Sequence, residues 1–130
     1  MLFKKNKKRI FVADDDDDFR RVIEAILEHA GYAVDLAEDG GEARKALKKK
    51  KYDLLIFDLV MPRIDGIKLF QIVRKTKGLS KIPVILISGH TSKDGLSEQE
   101  REIADKANGF LQKPIKTKGL LDLVKTLLER

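Results

Sequence analysis

A run of five aspartates, Asp14 to Asp18, follows directly on the apolar stretch Ile10 to Ala13. Like charges this close repel one another, and the first of them adjoin a segment that reads as buried. Such a cluster stays ionised near neutral pH only beside a compensating charge. Oxygen donors alone favour a hard cation, magnesium or calcium, over zinc. The calcium loop of an EF-hand does not fit: counting from Asp14, the sixth position is Phe19 and not glycine, and the twelfth is Ala25 and not glutamate. Magnesium keeps several waters and commonly shares its site with phosphate. Three more residues would suit that partner. Asp58, Ser88 and Lys113 each stand at the end of an apolar segment. A carboxylate can act as nucleophile toward phosphorus. A hydroxyl and an ammonium can support phosphoryl oxygens as charge redistributes.

These residues converge only if the elements before them line up. Short apolar runs alternate with helical patterns along the chain. "RIFVAD", "AVDLA", "YDLLIFD", "IPVILIS" and "FLQ" read as strands. Between them, Phe19, Val22, Ile23, Ile26, Leu27 and Ala30 recur at helical spacing and predict one apolar face, with Gly31 as the stop. "GGEARKALKKKK" predicts a short helix whose lysines favour the carbonyl end. Asp65-Gly66 opens a third helix, and Ser97 to Glu100 has capping-box spacing for a fourth that runs to about Ala107. Thr117 is the expected cap of a last helix with Leu120, Leu121, Val124, Leu127 and Leu128 inward. Five β-α alternations with near-continuous apolar strands imply an α/β fold with a parallel sheet covered on both faces. In such sheets ligands bind beyond the carboxyl ends of the strands. That rule gathers Asp14, Asp15, Asp16, Asp58, Ser88 and Lys113 at one edge.

The 130 residues fit one domain. There is no cysteine, which excludes disulfide and thiol chemistry and suits a cytoplasmic location. No apolar run is long enough for a membrane span or a signal peptide, so no membrane partner is expected. The net charge is +6, with basic clusters at Lys4 to Arg9 and Lys48 to Lys51. Two tyrosines and six phenylalanines offer little base stacking, and no nucleic-acid motif is present, so direct nucleic-acid binding is not expected. Residues 1–8 read as a basic extension and 9–130 as the domain.

Four segments together resemble the receiver domain of two-component response regulators, of the single-domain kind used in chemotaxis. They are "VADDD", "DLVMPRIDG" from Asp58 to Gly66, "ILISG" from Ile85 to Gly89, and "GFLQKPI" from Gly109 to Ile115. The resemblance covers Arg9 to Arg130. It implies a three-layer, flavodoxin-like (βα)5 fold with strand order 2-1-3-4-5. It also implies that Asp58 accepts a phosphoryl group, and that Asp14 and Asp15 form the acidic pair with Asp15 the more direct Mg2+ ligand. The Val60 carbonyl would be a main-chain ligand. Ser88 would move its hydroxyl toward the phosphoryl group, Lys113 would pair with it, and the Lys113-Pro114 bond would be cis. The implied partners are a sensor histidine kinase or histidine phosphotransfer protein, and an unidentified downstream protein. The implied state is a monomer or a weak phosphorylation-dependent dimer. The implied role is a signalling switch that catalyses only its own phosphoryl transfer and dephosphorylation.

The chain departs from the family pattern at several positions. Asp16 stands where glutamate is frequent, Asp17 where proline is, Gly89 where alanine is and Phe110 where tyrosine is. Asp17 and Asp18 read as helix N-terminal acids and not as ligands. His29 reads as a solvated residue in the last turn of the first helix. His90 is either an exposed loop residue or, with Val60, a determinant of how long the aspartyl phosphate lasts. Phe110 marks the expected output face, formed by the fourth helix, the last strand and the last helix. The alternative is a magnesium-dependent phosphatase of the haloacid-dehalogenase type, using Asp14 and Asp16. It requires threonine or valine where Asp18 stands, and a late acidic pair where Lys113-Pro114 stands.

Overall fold

The computed structural model describes residues 7–89 and 96–129. Strands and helices alternate as β1 (Arg9–Ala13), α1 (Asp17–His29), β2 (Ala33–Ala37), α2 (Gly40–Leu47), β3 (Leu54–Asp58), α3 (Gly66–Lys75), β4 (Val84–Ser88), α4 (Glu98–Ala104), β5 (Gly109–Gln112) and α5 (Thr117–Leu128). Every pairing is parallel and the strand order is β2-β1-β3-β4-β5, as expected.

The strand composition explains the layering. β3 and β4 are buried at all positions, as central strands covered on both faces must be. Along β1, Phe11 and Ala13 join the core with α2, α3 and α4. Ile10 and Val12 join the core with α1 and α5. That is the period-two alternation of a strand sorting its side chains between two layers.

α1 sits on the sheet along a narrower seam than its apolar residues allow. Ile23 and Leu27 are buried, whereas Ala30 is exposed and Val22 is 57% exposed. The expected inward face was therefore too wide by those two residues. α5 likewise buries Leu120, Val124 and Leu127 and leaves Leu121 and Leu128 half-covered.

Helix starts follow side-chain chemistry. Asp16, Asp39 and Asp65 each accept a backbone N–H in the first turn of α1, α2 and α3. Ser97 and Glu100 form the expected capping box on α4. α5 is the exception. Thr117 is its first helical residue, and the cap position is held by Lys116 without a side-chain bond. A threonine already inside the helix has lost the extended backbone from which a cap side chain reaches the next amides. α4 stops at Ala104 and continues only as turns to Ala107. The strands expected to begin at Tyr52 and Ile82 begin at Leu54 and Val84.

One glycine fixes the packing behind β3. A Cβ on Gly66 would meet the Asp58 carbonyl oxygen at 2.1 Å, so only glycine lets the first turn of α3 lie against the strand end.

Candidate functional site

Backbone bonds extend the strand ladders just past their ends and hold the site residues there. The Asp14 N–H donates to the Ala37 carbonyl (3.1 Å) and the Leu59 N–H to that of Ile87 (2.8 Å). The Lys113 N–H donates to the Ser88 carbonyl (2.9 Å). Asp14, Asp58, Ser88 and Lys113 thus occupy one sheet edge, positioned by regular pairing and not by loop conformation.

Carboxylate oxygens of Asp14, Asp15 and Asp58 lie within 4.8 Å of one another. Asp14 is fully buried, Asp58 is 5% exposed and Asp15 is exposed. The Lys113 ammonium lies 2.8 Å from Asp14 Oδ2 and 3.5 Å from Asp58 Oδ2. Asp14 Oδ1 accepts the Asp16 N–H, and Asp58 Oδ1 accepts the Val60 N–H. Among the described residues, the partner of buried Asp14 Oδ2 is the Lys113 ammonium, in an ion pair. Among the described residues, one ammonium therefore pairs with two of the three carboxylates.

The charge balance shows in the titration of the site. Burial, and then the Asp14 charge, push the Asp58 carboxyl up to about 6, against the opposing pull of Lys113 and the Val60 N–H. Burial works against the Lys113 ammonium. Contacts with Asp14 and Asp58 outweigh it and hold the pKa above the ordinary lysine value.

The donor chemistry fits a divalent cation. The donors are all carboxylate oxygens, and the three acids outnumber the one ammonium paired with them among the described residues. Asp16 is not part of this set. It is exposed, and its side chain accepts from the Asp18 and Phe19 N–H groups as the cap of α1. Asp17 pairs with Arg20, and both Asp17 and Asp18 lie in the first helical turn.

Ser88 is 4% exposed at the end of β4. Val60 is exposed, and Phe110 is half-buried against the core shared with α4. His29 is exposed in the last turn of α1. The Lys113-Pro114 bond is cis. His90 lies outside the described residues. So do residues 1–6 of the basic extension.

Sequence reasoning missed two contributors on α1. Arg20 donates to the Asp14 carbonyl at 2.6 Å and ties the helix to the strand end. Its spacing from Asp17 was the available signal. Val22 lines an open groove beside Lys113 and Ile115, and helical periodicity could not separate it from the buried stripe.

The model of the response regulator receiver domain family matches residues 10–125. The chain belongs to this family. It is 33% identical over 122 residues to the response regulator MprA of Mycobacterium leprae, covering 94% of this chain and 51% of that protein. It is 32% identical to the transcriptional regulatory protein RprY of Bacteroides fragilis, covering 100% and 53%. The chain thus spans about half the length of the curated relatives it matches. Among solved structures, the chemotaxis protein CheY4 of Vibrio cholerae superposes with a TM-score of 0.84 at 28% identity, covering 95% of this chain and 100% of that one. A signal receiver domain of a histidine kinase from Syntrophus aciditrophicus gives 0.83 at 30%, covering 94% and 90%. The phosphatase alternative finds no support: the match is to a receiver domain, and Asp16 caps a helix. No helix among the described residues is long and apolar enough to cross a membrane.

Proposed function

We propose that this receiver domain is a magnesium-dependent phosphorylation switch in which Asp58 is the phosphoacceptor. The observation that carries the reading is the cluster of three carboxylates, Asp14 and Asp58 buried and Asp15 exposed, with Lys113 as the one ammonium paired to it among the described residues. Asp14, Asp15 and Asp58, with the Val60 carbonyl, would hold Mg2+. When bound, the ion supplies the positive charge that lets an anionic phosphoryl group approach these acids. An Asp58 carboxylate oxygen attacks phosphorus as the phosphorus–nitrogen bond of a phosphohistidine donor breaks. The electron pair leaves on the imidazole, which takes a proton from solvent. Lys113 stays with the negative charge carried forward onto the phosphoryl oxygens, and the Ser88 hydroxyl supplies a further donor.

The phosphodonor is a histidine kinase or histidine phosphotransfer protein. It takes the groove of about 330 Å3 lined by Phe19, Val22, Ile26, Pro114 and Ile115, which opens beside Lys113. The contiguous apolar lining of this groove, with Val22 exposed in it, supports this, since such a patch beside a charged site suits a protein partner. Output leaves through α4, β5 and α5, where Phe110 can change its packing when Ser88 engages the phosphoryl group. Val60 offers no polar side chain to orient water, so it and His90 set a slow decay. Residues 1–8 are an extension outside the switch, which works in the cytoplasm without direct nucleic-acid contact.

The test is intact-mass measurement after incubation with magnesium and a small-molecule phosphodonor. The wild-type protein gains one phosphoryl group, and Asp58→Asn gains none while keeping its fold. Stoichiometric labelling of Asp58→Asn would falsify the assignment.

A further inference from the structure

The ammonium of Lys113 has a third neighbour that is not an acid. It lies 4.2 Å from the centroid of the Phe19 ring. A lysine ammonium is a compact charge on a flexible four-carbon stem, and two carboxylates on one side do not by themselves fix its position. The electron-rich ring face attracts the cation from another side. The side chain is 19% exposed, so little water competes for it.

The sequence places that ring through a short chain of bonds. Asp14 Oδ1 accepts the Asp16 N–H at 2.9 Å. Asp16 Oδ1 in turn accepts the Phe19 N–H at 3.2 Å. Arg20, the next residue, donates to the Asp14 carbonyl. The acid run therefore has a second use: it hangs the first turn of α1 from the same residue that faces Lys113.

We propose that Phe19 is a positioning residue for phosphoryl transfer, holding the Lys113 ammonium beside Asp14 and Asp58 while it exchanges a carboxylate partner for a phosphoryl oxygen. This rests on the role given above to Lys113. The ring suits such an exchange because it attracts the charge without demanding a specific N–H donor. The ammonium can therefore pivot on the ring as its hydrogen-bond partners change.

The wild-type spectrum tests the geometry directly. The ε-methylene protons of Lys113 are expected upfield of those of exposed lysines, displaced by the ring current of Phe19. Phe19→Leu keeps apolar bulk and removes the aromatic face. It should lose that displacement and slow labelling by phosphoramidate with magnesium about three- to tenfold, the range a contact of this type supports. Phe19→Tyr keeps the face and should restore both. A wild-type Lys113 signal at the exposed-lysine position, Phe19→Leu labelling at the wild-type rate, or Phe19→Tyr as slow as Phe19→Leu each overturns the inference. Asp58→Asn separates the two claims. If it still fails to label in the same assay, the switch stands whatever Phe19 does; if it labels, the switch reading fails first.

Discussion

The two ends of the sheet treat charge in opposite ways. At the carboxyl end, two buried acids, Asp14 and Asp58, share the Lys113 ammonium, and the Asp58 carboxyl is pushed up to about 6 by burial and then by Asp14. At the amino end, the polar groups are matched. Asp53 accepts the Arg9 N–H at 2.8 Å, and the Tyr52 hydroxyl donates to Asp35 at 2.8 Å. Arg9 and Lys50 each approach Asp35 to 3.5 Å. Arg74 donates to the Ile82 carbonyl and to Asn108. Lys48 to Lys51 are exposed. Polar groups at the amino end hold the fold together. At the carboxyl end, burial and Asp14 hold Asp58 against its ionised form, while the two acids hold Lys113 in its charged form.

The sharpest way to break this comparison is to leave the carboxyl end without its cation. With chelator present, phosphorylation of Asp58 by a small-molecule donor should fall by roughly a hundredfold or more, the range over which electrostatic stabilisers of transferring phosphoryl groups act. Asp15→Ala should need far more magnesium for half-maximal labelling. Labelling at the normal rate in chelator removes the cation from the mechanism.

A second test uses pH. Asp58 carries a carboxyl raised from 3.8 to about 6 in the folded, metal-free protein. A raised acid favours the folded state fully below the unfolded value and loses that contribution as pH rises through the folded value. Metal-free stability should therefore decline between pH 4 and about pH 6 by on the order of 1 to 3 kcal/mol. Asp58→Asn should flatten the decline, as should saturating magnesium. Denaturant melts in chelator at several pH values read it as the difference between wild type and Asp58→Asn, which cancels the opposing contribution of Asp35, and a flat difference contradicts the charge balance described above.

Smaller effects belong to the amino end. Tyr52→Phe removes the hydroxyl that Asp35 accepts and should cost about 1 kcal/mol in chemical denaturation. Labelling of Asp58 should not change; a slower rate would mean the two ends are coupled. Lys49→Ser, on an exposed side chain, should shift stability by less than about 0.5 kcal/mol in the same melts.

How much of this could be read from the residues follows the same division. β3 and β4 were legible because buried parallel strands are unbroken apolar runs, and the carboxyl-edge rule then gathered Asp14, Asp58, Ser88 and Lys113. Strand starts were less legible. Tyr52 and Ile82 are apolar enough to extend the runs, yet Tyr52 turns its hydroxyl to Asp35 and the ladder begins two residues later. The aspartate run gave its charge but not its division of labour. Only backbone direction separates Asp14 at the site from Asp16 at a helix cap. Phe19 and Val22 were legible as apolar and not as neighbours of Lys113, because that contact joins residues nearly a hundred positions apart through β5.

Gly66 has a mechanical meaning for the end of β3. The first turn of α3 sits so close behind β3 that not even a methyl group fits against the Asp58 carbonyl. The end of β3 thus has α3 directly behind it, with no slack between the two backbones. Gly66→Ala would have to push either the helix start or the strand end away. A helix start without a side chain thereby acts as a fixed stop, locking the spacing between α3 and the edge of the sheet.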